Sequence, residues 1–294
     1  MSAAEPVVTE VSQRPPLGRA LLSRRLSTRL LRSELRLIGG RRRNQMGLLV
    51  LAAVPVLMAV TVRLSSPREG GGPDFLSSIT SNGLFVPLAA LTVELGLFLP
   101  LAIAMLAGDS VAGEANLGTL RYLLTVPVGR TRLLVTKFGS LVVGALWGVA
   151  VVVAAGAVAG IALFGTGPML TLSGTEISFG AAVWRVVLVS LYIAAGLAAL
   201  GAVGLFISTL TEQPLAATVA IMIFTILSWI ADSVPQISWL HPWLLVDQWM
   251  AFGDLLRDPP FWDNVAQGLR VDLGYAVVFG LLAWARFAGK DITS

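Results

Sequence analysis

Very few residues of this chain could do chemistry, and their types already narrow the choice. There is no cysteine and a single histidine, His241. Thiolate nucleophiles, disulfides and cysteine zinc sites are therefore absent, and His241 has no second imidazole with which to build a metal site or a proton relay. It reads as a loop or cap residue, and no catalytic residue, metal or bound cofactor is assigned to the chain. The lysines are Lys137 and Lys290 alone, and no G-x-x-x-x-G-K-[ST] run occurs. Nucleotide phosphates thus cannot be cradled here in a Walker A loop, and any work that needs energy must draw it from another subunit or from an ion gradient.

The carboxylates stand out by position. Glu94 lies near the middle of the apolar run 84–107. A carboxylate at mid-membrane depth costs on the order of a few kcal/mol, so it must face protein or a cavity. Two roles are open for it: substrate contact or gating, and a protonated group hydrogen-bonded to a neighbouring helix. Glu114 falls in a glycine-punctuated polar stretch, where it either accepts charge-assisted bonds from a partner protein or pairs within its own loop, for instance with Arg121. Asp247, Asp254, Asp258 and Asp263 lie among tryptophans near the end of the chain. They fit a site for a cationic substrate or a solvated acidic face, and Asp247 and Trp249 join Glu94 as candidates for a substrate pathway or gate.

The elements that hold these residues follow from composition. Of 294 residues, 55% are hydrophobic and 13% charged, and the mean hydropathy is +0.80. Soluble domains carry about 25% charged residues, so the charge needed to coat a water-facing surface is missing. Disorder is excluded by the same excess of apolar side chains. The fold class is an all-α integral membrane protein, because helices satisfy their own backbone in lipid.

A bilayer core about 30 Å thick takes roughly 20 helical residues. Six segments meet that need: 46–64, 84–107, 138–164, 186–210, 215–231 and 269–288, the last with Arg270 and Arg286 snorkelling to opposite surfaces. Pro87 and Pro100 flank Glu94 and predict a kinked second span. Sixteen of the 21 basic residues fall on one side of this arrangement, which places both termini in the cytoplasm. The basic excess is thus a topology signal and does not point to nucleic acid. Residues 1–16 read as disordered, 17–44 as an amphipathic elbow helix lying against lipid headgroups, and 289–294 as a cytosolic C-terminus.

Two connecting stretches carry structure. The outer segment 235–268 holds four tryptophans, with Trp229 just before it. Pro242–Leu256 sets Leu244, Leu245, Trp249, Phe252 and Leu256 against Asp247 and Asp254, predicting a short interfacial or re-entrant helix at headgroup level. The inner segment 108–137 reads as Gly108 ending the second span, Asp109 or Ser110 capping a short helix, Gly118 turning, and Pro127 stopping a second short piece. Such punctuation suits a compact element docking on a partner. In the third span, Gly144, Gly148, Gly156 and Gly160 form two GxxxG pairs on one ridge, for internal packing or for a seam between two copies.

The residues Glu114, Gly118-Thr119-Leu120, Leu123-Leu124, Pro127-Val128, Arg130 and Lys137 resemble the signature of ABC-2-type permeases, the membrane subunits of ATP-binding-cassette transporters. The similarity extends to the whole plan of elbow, six spans, cytosolic element and outer segment. It implies an assembly of two permeases, as a homodimer or with a similar chain, and two ABC ATPase subunits that hold ATP and Mg. It also implies that Glu114, Gly118, Thr119, Leu120, Arg121, Pro127 and Arg130 lie in an ATPase-coupling element, and that the direction is export from a bacterial cytoplasmic membrane. Drug-like, lipid and peptide substrates fit equally. An ion-driven secondary transporter would show inverted halves with matching broken helices, and a membrane-embedded lipid-processing enzyme would need convergent acids or a nucleophile. The sequence displays neither pattern.

Overall fold

A computed structural model of the chain describes residues 28–65, 82–116 and 129–289. The expected disordered start 1–16, the beginning of the elbow and residues 117–128 of the coupling element lie outside these residues. Among the described residues six helices are long and apolar enough to cross a membrane, and the protein is an all-α integral membrane protein. The elbow is α1 (Thr28–Gly40), followed after one non-helical residue, Arg41, by α2 (Arg42–Ser65). The amides of Asn44 and Gln45 donate to the carbonyls of Ile38 and Gly39 at 2.8 and 3.0 Å. They thereby satisfy acceptors that the end of α1 leaves open.

The second span is two helices, α3 (Phe85–Leu95) and α4 (Phe98–Asn116), rather than one kinked rod. Pro100 has no N–H for the carbonyl of Gly96, and its ring crowds that carbonyl, so the ladder breaks one turn earlier. Leu97 N–H bonds back to Glu94 and Gly96 N–H to Val93, both at 3.2 Å, as a tight turn. Pro87 falls in the first turn of α3, where a missing N–H costs nothing.

A second correction concerns Gly108. It does not end a helix, and Asp109 and Ser110 cap none, because α4 runs on to Asn116. A Cβ at Gly108 would stand 2.5 Å from Thr218 Oγ1 and 2.9 Å from the Pro214 carbonyl. The glycine therefore serves the close approach of two helices.

The third span is the 35-residue α5 (Arg130–Phe164), extending two turns beyond its apolar part. After it, β1 (Met169–Leu170) and β2 (Glu176–Ile177) pair antiparallel, with Gly174 at φ +81° in the turn between them. Then come α6 (Phe179–Leu210), α7 (Pro214–Asp232), α8 (Leu245–Trp249) and α9 (Trp262–Ala288). Central in the bundle is α6, which packs on α4, α5 and α9. Its apolar window is 67% buried, against 17% for α2 and α9 at the periphery.

The bundle has two unlike ends. One carries α1, the end of α4, the start of α5 and the end of α9, and is charged. The other gathers the hairpin, the 235–261 segment and the start of α9, and is rich in tryptophan. The single interfacial or re-entrant helix expected over 242–256 is corrected here. The stretch is a chain of short turns, with 3₁₀ helices at His241–Trp243 and Met250–Leu256 on either side of α8. Its apolar side is folded into the bundle, where Leu245, Trp249 and Leu255 are at most 2% exposed. Of the five tryptophans between 229 and 262, Trp239, Trp243 and Trp262 remain at the surface. Trp229 and Trp249 meet edge to face inside, with centroids 6.2 Å apart.

Candidate functional site

At the charged end three elements meet on one lysine. Lys137 faces inward from α5 and is 2% exposed. Its Nζ lies 2.5 Å from Glu114 Oε1 on α4 and 3.6 Å from Glu34 Oε1 on α1. A buried ammonium needs such partners, since an unpaired charge away from water is costly. One helical turn and a half above Glu114, Asp109 pairs with both Arg41, at 2.5 Å, and Arg43. The elbow, the α1–α2 connection, α4 and α5 are thus joined by two separate charge clusters, which hold the elbow against the bundle.

The sequence-predicted coupling residues separate at this point. Glu114 sits at the junction just described, on the last turn of α4. Gly118, Thr119, Leu120, Arg121 and Pro127 lie outside the described residues. Arg130 begins α5 and donates to the carbonyl of Ala288 at 2.5 Å. It covers an open acceptor at the end of α9, as cations do at helix C-termini.

Glu94, the last-but-one residue of α3, is fully buried, and neither of its oxygens has a hydrogen-bond partner among the described residues. It stands at the break between α3 and α4, at the one place in the span where the helix is interrupted. Trp249 is buried in a different part of the bundle, beneath the tryptophan end. There a Cβ on Gly196 of α6 would lie 2.8 Å from Trp249 Nε1 and 3.6 Å from Asp272 Oδ1 of α9. Neither of those polar atoms has a partner among the described residues. Nearby, Tyr192 donates its hydroxyl proton to the Gln248 carbonyl at 2.6 Å, which fastens the inserted segment to α6. Asp247 turns away and accepts from Gln248 Nε2 at 2.6 Å. Burial, and then the neighbouring Asp232, push its carboxyl above the ordinary range.

The glycine ridge of α5 faces other helices of the same chain. Gly156 and Gly160 abut Pro87 and Gly83 at the start of the second span, where a Cβ on Gly156 would come within 2.8 Å of Pro87 Cα. Gly144 and Gly148 face Leu106, Leu51 and Leu99. His241 Nε2 contacts the Val234 carbonyl at 3.1 Å, and no group able to hold a metal ion occurs among the described residues.

Sequence reasoning missed Glu34, Asp109 with its two arginines, and Asp272. For Lys137 a signal existed: it is one of two lysines in the chain and opens a charge-free span. Asp272 was visible only as a charge in the last span. Its depth depended on α9 starting at Trp262, which the apolar run does not reveal.

The family model described as ABC-2 family transporter protein matches residues 38–240. That region takes in the end of the elbow, Glu114 and Lys137 of the charged junction, the glycine ridge and the first five spans. No curated protein matches the chain.

Proposed function

The chain belongs to the ABC-2 transporter family as a permease subunit, and from that premise we propose that it forms an export pathway driven by ATP hydrolysis in a separate ATPase subunit. Two permeases, identical or similar, flank the pathway. Two ABC ATPase subunits bind ATP and Mg and dock at the charged end, which faces the cytoplasm of a bacterial cell. The substrate is a drug-like molecule, a lipid or a peptide that enters between the permeases. The inserted segment 235–261 serves as the outer lid.

The observation that carries this reading is the Lys137–Glu114–Glu34 junction. It ties the end of α4, where the coupling element 108–137 begins, to α5 and to the elbow. A push on residues 117–128 would reach α4 and α5 through their own backbones and the elbow through that ion cluster. Packed side chains, ion networks and rigid elements of this kind can carry energetic coupling between distant sites. Glu94 at the α3–α4 break and Trp249 under the lid are the positions where such motion would open or close the pathway.

The test is ATPase activity of the reconstituted complex. Gly118→Pro and Glu114→Ala should leave membrane insertion intact and lower the stimulation that the permease gives its ATPase. Unchanged stimulation in both variants would remove the docking assignment.

A further inference from the structure

A cleft of about 670 Å³ lies between α7 and α9 below the tryptophan end. It belongs neither to the charged junction nor to the buried Trp249 region. One wall is a ridge of α9 on which Gln267, Arg270, Gly274 and Val278 follow at helical spacing. The ridge is polar at its outer end and apolar toward the middle of the bundle. The floor is aromatic: Tyr275 and Phe279 stack at 5.8 Å, and Phe224 of α7 meets Phe279 edge-on at 6.4 Å. Trp243 roofs it, its carbonyl accepting from the Tyr275 hydroxyl at 3.1 Å.

Depth gives these residues meaning. Leu269–Ala288 supplies about 30 Å of helix at 1.5 Å per residue, the thickness of a hydrocarbon core. Arg286 marks one boundary, Arg270 the other, and Trp262 to Gly268 rise through the headgroups. Arg270 therefore stands at the level of lipid phosphates, while Gly274 and Val278 lie at the level of the first acyl segments. Among the described residues the only acceptor for Arg270 is the Ala266 carbonyl on its own helix, at 3.2 Å. An arginine at the edge of the bilayer, beside a cavity and without a carboxylate, is a cation open to an anionic lipid headgroup. Among the described residues no acidic side chain lines the cleft to meet an ammonium headgroup.

We propose that this cleft binds an anionic phospholipid of the surrounding leaflet, with the phosphate on Arg270 and Gln267 and an acyl chain laid along Gly274 and Val278 against the aromatic floor. The site is independent of the ATPase docking assignment. A Cβ at Gly274 meets nothing within 4 Å. Leucine there fills the cleft without disturbing the helix.

The test is native mass spectrometry of the full chain in mild detergent, titrated with phosphatidylglycerol or phosphatidylcholine. The wild type should retain one phosphatidylglycerol and prefer it. Arg270→Gln should weaken that lipid about tenfold, the effect of losing one charge-assisted bond, and abolish the preference. Gly274→Leu should weaken both lipids. Arg63→Gln, at the same end but off the cleft, should change neither. Equal effects of Arg270→Gln and Arg63→Gln would overturn the proposal, and so would full retention in Gly274→Leu. If Gly274→Leu instead alters the oligomeric state while lipid retention stays as in the wild type, the cleft is a seam between copies and the proposal falls.

Discussion

Replacing Lys137 by methionine keeps most of the side-chain volume and removes the charge on which three helices meet. The lysine is 2% exposed, and the side chains of Glu34 and Glu114 are 14% and 15% exposed. Breaking a buried ion pair by deleting one partner costs about 3–5 kcal/mol, because the other charge is left without compensation. Here both stranded carboxylates keep some access to water, so the lower end, about 3 kcal/mol, is expected. Glu114→Gln alone should cost less, since Lys137 retains Glu34 at 3.6 Å. In the double variant Lys137→Met/Glu114→Gln only Glu34 remains uncompensated, so the two losses must not add. Chemical denaturation of the four proteins in mild detergent gives the cycle. The account requires a coupling of at least about 1 kcal/mol, whereas sites that do not interact add to within roughly 0.5 kcal/mol. Hydrogen exchange over Thr28–Gly40 should rise in Lys137→Met, since the elbow loses the ion pair that Glu34 makes to α5. Additive energies together with an unchanged elbow would refute the junction as a mechanical link.

Two further outcomes follow from the same geometry. Gly156→Ala should destabilise the protein by about 1–3 kcal/mol, because the new methyl meets the Pro87 backbone and an overpacked helix contact must open. Gly144→Ala should cost little, since the atom it meets, Leu106 Cδ1, is the tip of a flexible side chain; equal thermal shifts in the two variants would contradict this. The absence of cysteine makes topology directly readable. A cysteine replacing the exposed Trp239 should react with a membrane-impermeant maleimide in intact cells, and one at Gly289 should react only after lysis. Labelling of both in intact cells would reverse the proposed orientation of the C-terminus.

The spans were legible because lipid imposes a long apolar run on each of them, as in Val186–Leu210, the core of the central helix. What escaped was set by single backbone groups or by contacts distant in sequence. Hydropathy passes smoothly through Gly96-Leu97, so the break appears only when the missing N–H of Pro100 is followed to its acceptor. The first turns of α5 read as loop because Pro127 precedes them and arginines fill them, yet the helix begins at Arg130, whose side chain covers the end of α9. Tryptophan enrichment around 229–262 pointed to a headgroup-level chain. Two of those five rings, Trp229 and Trp249, are packed inside, since residue type alone does not distinguish an interfacial indole from a core one. The basic elbow was visible as an arginine-rich amphipathic pattern, whereas its fastening to Asp109 and Lys137 depended on pairings across more than sixty residues.

We propose above that this permease is energised by a separate ATPase docked at its charged end. Purification of the full chain in mild detergent, followed by protein identification and an ATP hydrolysis assay, addresses it most directly. An ABC ATPase should copurify in fixed ratio, the complex should hydrolyse ATP, and Gly118→Pro should weaken the association. A chain that purifies without any ATP-binding protein, yet moves substrate in vesicles on an ion gradient alone, would contradict it.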